Sequence, residues 1–241
     1  MEIRIAGVCI LLLCAAGLPG QESADALAQR ARFFSAGEKQ RIAATLTVEA
    51  GAEKKIRELE LFFLSSAGSD KLLARILSPA FLREMKILLN SSGGQWNTWI
   101  KTSQGVKRLG TGSRGESLFQ SDFLTSDFII PQSGWTFGSE DGSTGFRMLK
   151  RNGERGEDFI SQSLYLRAAD SVVARRVFFD AEGTAIREYS VVDWEAVPGS
   201  SDRPARIELV KRPSKGRSIL DIGGVFTEER IPEGLFLPGS L

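Results

Sequence analysis

The side chains available for chemistry in this sequence are mainly carboxylates and cations, because the 241 residues include no histidine. That absence removes Ser-His-Asp triads, Cys-His dyads and the usual zinc sites. Two carboxylate pairs remain as acid–base candidates, Asp122 with Asp127 and Glu140 with Asp141. Each aspartate of the first pair follows a serine, as in a helix cap, and the second pair precedes a turn glycine. We therefore expect no catalytic residues, no metal and no cofactor; a histidine-free hydrolase using carboxylates or a Ser-Lys dyad is the alternative.

Two further motifs resemble nucleotide or nucleic-acid sites without the surroundings that such sites need. Gly110–Gly115 (GTGSRG) matches a dinucleotide-binding loop, but its neighbours form predicted hairpins rather than a βαβ unit. The 31 Lys+Arg and 30 Asp+Glu nearly cancel, whereas a nucleic-acid partner requires a basic excess. We therefore predict no nucleic-acid partner, and a solvated strand edge for the basic and aromatic cluster Lys101, Lys107, Arg108, Arg114, Trp96 and Trp99.

The N-terminus has the pattern of a secretory signal. Arg4 precedes an apolar run from Ile5 to Leu13, and small residues follow at 15–17. The run is too short to span a bilayer. Both cysteines, Cys9 and Cys14, lie within the predicted signal. We predict a cleaved signal peptide over residues 1–20 and one cysteine-free domain over residues 21–241.

Hydrophobic periodicity predicts a β-rich fold. Apolar residues at 24, 27, 31 and 34 have helical spacing and predict one helix over residues 24–34. The period then changes to two, and turn residues recur about every 8–12 residues, as in an antiparallel meander. This pattern predicts eleven or twelve strands, at residues 43–50, 55–65, 71–78, 84–90, 95–101, 106–109, 146–151, 158–167, 172–179, 185–194, 205–211 and 218–226.

So many strands with so few helices leave an apolar sheet face to be covered. A barrel of more than about eight strands encloses space that its own side chains do not fill. Either the sheet splits into a sandwich with a closed core, or a cavity remains that suits an acyl chain. The residues predicted to form the cavity wall are Leu59, Leu61, Phe63, Leu72, Ile76, Met85, Ile87 and Leu89.

Several short motifs follow one another between Lys71 and Phe128: Arg75 with Pro79, Leu88-Leu89, Trp96 with Trp99, Lys107-Arg108, and Ser117-Leu118-Phe119 through Asp127. In this order they resemble the family of outer-membrane lipoprotein-sorting proteins related to the periplasmic carrier LolA. The resemblance implies a mainly β (α+β) fold, in which one curved antiparallel sheet forms an incomplete, half-open β-barrel with short lid helices. It also implies an arginine that ties the barrel to the lid, for which Arg41 and Arg57 are candidates.

The stretch FQSDFLTSDF contains Ser-Asp-Phe twice, five residues apart. With the resemblance, it predicts a short, broken lid helix in which each Ser-Asp pair caps one turn. Phe119, Phe123 and Phe128 would then point into the mouth of the barrel. The alternative is that these phenylalanines plug the core and leave no room for a ligand.

The resemblance implies a periplasmic carrier that holds lipid or lipoprotein acyl chains in an apolar half-barrel, for outer-membrane lipoprotein sorting or lipid transport. Candidate partners are those acyl chains, a membrane transporter and an outer-membrane acceptor. The alternative is an accessory module of a transporter or envelope complex whose core is filled by its own side chains. The sequence leaves the oligomeric state open.

Overall fold

The computed structural model describes residues 22–34, 39–66, 69–92, 95–109, 117–139, 145–154, 157–213, 216–227 and 231–241. The predicted signal peptide, the glycine motif and the pair Glu140 and Asp141 lie outside these ranges. Within them, no helix is long and apolar enough to cross a membrane.

The described residues form one antiparallel sheet of thirteen strands. The strands are β1 (Lys39–Ala50), β2 (Glu53–Ser66), β3 (Ser69–Ser78), β4 (Lys86–Ser92), β5 (Gln95–Thr102), β6 (Gly105–Arg108), β7 (Thr136–Phe137), β8 (Phe146–Asn152), β9 (Ser161–Arg167), β10 (Val173–Phe179), β11 (Ala185–Glu195), β12 (Arg203–Lys211) and β13 (Arg217–Thr227). Each strand pairs with its chain neighbours, except that β6 and β7 do not pair with each other. Strand β1 also pairs with β13, so β6 and β7 are the two edges of the sheet. The predicted mainly β, half-open antiparallel sheet is confirmed, and β7 is the strand that periodicity missed.

The N-terminal helix is shorter than predicted. Helix α1 (Ala24–Arg30) begins after Ser23, whose side chain accepts a hydrogen bond from the N–H of Ala26 at 3.1 Å. The helix ends because Arg32 forms a bridge with the start of β10: its N–H donates to Ser171 O, and its carbonyl accepts from Val173 N–H. Phe33 and Phe34, which follow, are buried in the core as separate side chains rather than on a helix face.

One face of the sheet, here called the inner face, packs against α1 and residues 117–135. A row of facing residues crosses β1 to β5 on this side. Its members are Ile42, Leu61, Ala74, Ile87 and Ile100. The first four are at most 2% exposed. Strand alternation therefore places one contiguous apolar surface on the inner face.

The outer face of β2 to β5 is covered by residues 231–241, which contain the 3₁₀ turns Glu233–Phe236 and Pro238–Ser240. These residues bury a second apolar cluster of Phe62, Leu64, Leu73, Leu88, Ile231, Phe236 and Leu241. Asn90 donates to the carbonyl of Phe236 at 3.3 Å, which fixes the position of the segment. Strand β2 is therefore buried on both faces in its second half.

Candidate functional site

The eight predicted wall residues all lie on the inner face. In the sheet register, Leu61 faces Ala74, and Leu72 lies between Phe63 and Leu89. Six of them are buried, namely Leu59, Leu61, Leu72, Ile76, Ile87 and Leu89. Phe63 and Met85 are half-buried and pack against the same cluster. The structure thus brings the whole set together, and contact with lipid stays a prediction.

Residues 117–135, here called the covering segment, lie across this wall. The segment contains only two 3₁₀ turns, Leu118–Gln120 and Thr125–Phe128. Its phenylalanines Phe119, Phe123 and Phe128 are 2%, 0% and 3% exposed and belong to the inner cluster. The rings of Phe33, Phe34, Phe63 and Phe123 all lie within 6.2 Å of the Phe128 ring, between centroids. The predicted lid residues therefore point inward, as a fully packed aromatic group.

The prediction that Ser-Asp pairs cap two helical turns is wrong. Ser121 instead closes the first turn, with its hydroxyl donating to Leu118 O at 2.6 Å. Asp122 is tied to the sheet, since its carboxylate accepts from the Ser218 hydroxyl at 3.0 Å. Asp127 lies inside the second turn and accepts from Leu124 N–H at 2.7 Å. The first turn cannot extend because Phe119 has a left-handed backbone, with φ 53°.

The covering segment is fastened by an arginine that the sequence did not reveal. Arg176 of β10 is 3% exposed. Its Nη1 donates to the main-chain carbonyls of Asp127 at 2.9 Å and Ile129 at 3.1 Å, and its Nε donates to Gln162 at 2.8 Å. Burial lowers the pKa of Arg176 to about 10, although the charge of Asp127 acts in the opposite direction. The guanidinium is therefore still a cation at neutral pH.

Two more buried arginines hold the same segment from neighbouring strands. Arg187 of β11 places Nη2 at 3.1 Å from the Asp127 carboxylate. Arg151 of β8 donates to the carbonyl of Ser133 at 3.1 Å and pairs with Glu157 at 3.2 Å. These three arginines thus hold the covering segment from three strands, through its main-chain carbonyls and one buried carboxylate.

The two arginines suggested by the family resemblance lie elsewhere. Arg41 is on the outer face, where it pairs with Glu60 at 3.2 Å and lies over the Phe226 ring. Arg57 is on the inner face of β2, and no hydrogen bond or ion pair links it to the described covering segment. The residue with the expected clamping geometry is Arg176. Strand alternation counted from Val173 assigns it to the wrong face, because a bulge between Val173 and Arg175 shifts the register.

Asp127 provides a test of the electrostatics of the contacts through which Arg176 and Arg187 hold the covering segment. Burial raises the pKa of its carboxyl above the ordinary 3.8, while Arg187, the Leu124 N–H and Arg176 oppose the shift. Because the folded-state pKa is raised, the protonated carboxyl contributes its full stability below pH 3.8. This contribution is lost as the pH rises through the folded-state pKa. Between the unfolded-state and folded-state pKa values, the wild type should therefore lose about 1.4 kcal/mol of unfolding free energy for each unit of rising pH, relative to Asp127→Asn. Urea unfolding at several pH values measures the slope, and a slope of opposite sign would show that Arg187 dominates.

A small cavity of about 40 Å³ lies where the covering segment meets α1 and the adjoining ends of β1 to β3. Phe34, Phe63 and Phe128 contribute apolar lining. Asp70 is at its polar side, accepts from Ser65 at 2.5 Å and Gln132 at 3.1 Å, and has a pKa raised by burial. Ligand pockets are typically about 300–1,000 Å³. Side chains therefore fill most of the space between the covering segment and this end of the inner face.

The sequence matches no family model and no curated protein. Solved structures do share its architecture. An outer-membrane lipoprotein-sorting protein domain from Vibrio parahaemolyticus superposes with a TM-score of 0.74 at 15% identity, over 84% of this chain and 90% of the other. The chain has the LolA-like fold. A LolA superfamily protein from Nitrosomonas europaea gives 0.67 at 16% identity, over 92% of this chain and 100% of the other.

A third similar structure comes from a family with a different name. A DUF1329 family protein from Desulfovibrio piger superposes with a TM-score of 0.73 at 14% identity, over 85% of this chain and 92% of the other. At such identities the likeness concerns the fold. The function of this chain therefore depends on what its own inner face and covering segment can bind.

Proposed function

We propose that this protein is a periplasmic carrier that holds the acyl chains of lipids or lipoproteins against its inner face, for outer-membrane lipoprotein sorting or lipid transport. The observation that carries the proposal is a contiguous apolar wall beneath a segment with almost no regular structure. Burying each methylene contributes about 0.8 kcal/mol, so a chain binds without a covalent step. The protein acts without catalysis.

Binding requires the covering segment to move, because the closed cavity is only about 40 Å³. Besides the packing of its phenylalanines, the segment is joined to the sheet by localised polar contacts at Asp70, Arg151, Arg176, Arg187 and Ser218. Segments with little regular structure open at lower cost than sheet strands. The N-terminal signal pattern supports export, and a membrane donor and an outer-membrane acceptor would load and unload the carrier.

The second candidate function is an accessory module of a transporter or envelope complex with a self-filled core. It is favoured by the complete burial of Phe123 and the near-complete burial of Phe119 and Phe128. Lipid content distinguishes the two functions. Mass spectrometry of organic extracts from protein purified natively from a periplasm should find a stoichiometric acyl lipid for the carrier. Lipid-free protein would favour the module.

Ala74→Phe tests whether the wall is the binding surface. Ala74 is fully buried between Leu61 and Ile87, so a phenyl group there occupies volume that an acyl chain would need. We expect most bound lipid to be lost, with a stability cost of about 1–3 kcal/mol from overpacking. Lipid extraction and urea unfolding measure both effects. Ala43→Phe, at a half-buried outer-face position, is the control; equal lipid content in the two variants would contradict the assignment.

A further inference from the structure

Arg57 is the one buried arginine of the described chain that lacks a partner. It lies on the inner face of β2 and is 5% exposed. Its Nη1 is fully buried without a hydrogen-bond partner, and no carboxylate of the described residues forms an ion pair with it. Burial lowers its pKa, and no neighbouring charge is among the causes. The guanidinium is therefore a cation with unused donors.

The other three buried arginines each have at least one charged or carbonyl partner, although Nε of Arg187 also lacks a hydrogen bond. Arg151 pairs with Glu157, Arg176 donates to three main-chain carbonyls and Gln162, and Arg187 contacts Asp127 and Asp158. An unpaired buried charge costs several kcal/mol. The exception at Arg57 therefore calls for an acceptor that the described residues do not provide.

Arg57 lies at one end of the apolar wall. Leu59, Leu61 and Phe63 follow it on the same face of β2, at alternate positions. Six residues of strand extend about 20 Å. One acyl chain in a bilayer spans about half of the ~30 Å hydrocarbon core. A single acyl chain therefore fits along β2 with its polar head at the guanidinium.

We propose that Arg57 binds the oxyanion of the carried amphiphile, a carboxylate or a phosphate, while the chain lies along Leu59, Leu61 and Phe63. The inference rests on the proposed carrier function and specifies its ligand class. A guanidinium offers paired donors that match both oxyanions. The protein should therefore prefer anionic amphiphiles to neutral ones with the same chain.

The test compares three radiolabelled ligands with the same chain: palmitate, palmitoyl lysophosphatidate and monopalmitoylglycerol. The last two differ by the phosphate, and the first carries a carboxylate. The exported protein and Arg57→Met are titrated with each. We expect Arg57→Met to weaken the preferred oxyanion ligand by about tenfold or more and to leave the neutral ligand unchanged. The larger loss identifies carboxylate or phosphate as the natural head.

Lys55→Met is the matched control, since Lys55 is the next residue on the same side of β2 but is exposed and pairs with Glu53. It should leave all three affinities unchanged. Removal of an unpaired buried cation should also make Arg57→Met more resistant to urea than the wild type. If Arg57→Met weakens the charged and neutral ligands equally, or weakens none of them, the guanidinium binds an internal water instead of the ligand. That result would overturn this inference and leave the carrier function standing. Wild-type protein that binds none of the three ligands would remove the carrier function as well.

Discussion

Arg176→Met is expected to destabilise the protein by about 3–5 kcal/mol, because buried groups lose a charged partner. The carbonyls of Asp127 and Ile129 lose their donor, and Gln162 loses the guanidinium that it accepts from. Such a loss is a large part of a typical stability of about 5–15 kcal/mol. Urea unfolding measures it. Hydrogen exchange should show faster opening of the covering segment than of β2 and β3.

The neighbouring arginine on the same strand is the control. Arg175 is exposed and pairs with Glu188 at 2.7 Å. A surface pair of this kind contributes about 0–1 kcal/mol, so Arg175→Met should unfold nearly as the wild type does. Similar stabilities for the two variants would show that Arg176 does not fasten the segment.

Phe128→Ala should cost about 3–5 kcal/mol in the absence of lipid, because it removes the ring at the centre of the buried aromatic group. The new space adjoins the existing cavity of about 40 Å³, which Phe128 helps to line. In a carrier, an acyl chain can occupy that space. Lipid at a free concentration of 100 times its Kd should then restore about 2.7 kcal/mol of the unfolding free energy of Phe128→Ala. Thermal unfolding with and without a long-chain amphiphile measures both effects.

Phe81→Ala provides the comparison, since Phe81 is 82% exposed and its truncation should change stability by less than about 0.5 kcal/mol. Destabilisation of Phe128→Ala that no amphiphile reverses would identify the phenylalanines as a plug. That result would favour the accessory module over the carrier.

Strand positions could be predicted because alternation along a strand is a local property. Leu59, Leu61 and Phe63 share a face wherever β2 lies in the sheet, so the wall could be proposed before any partner strand was known. The end of helix α1 could not be predicted in this way. Arg32 leaves the helical path because its main chain pairs with Ser171 and Val173, far away in the sequence.

The contacts of Arg176 with the covering segment could not be predicted for a related reason. Arg176 donates to carbonyls 47 and 49 residues away, and a carbonyl carries no sequence signal. The bulge before Arg175 also turned the arginine inward against simple alternation. The partner of a buried charge is fixed by tertiary packing, as the contrast between Arg176 and Arg57 shows.

The sequence by itself determined the strand-rich architecture, the apolar inner wall and the absence of histidine chemistry. These follow from residue types and from a period of two, which need no long-range contact. Only the tertiary structure decided that the covering segment packs against the inner wall, that Arg176 holds it and that Arg57 has no partner among the described residues. Those outcomes depend on which groups meet across the sheet, where burial makes each unmatched polar group costly.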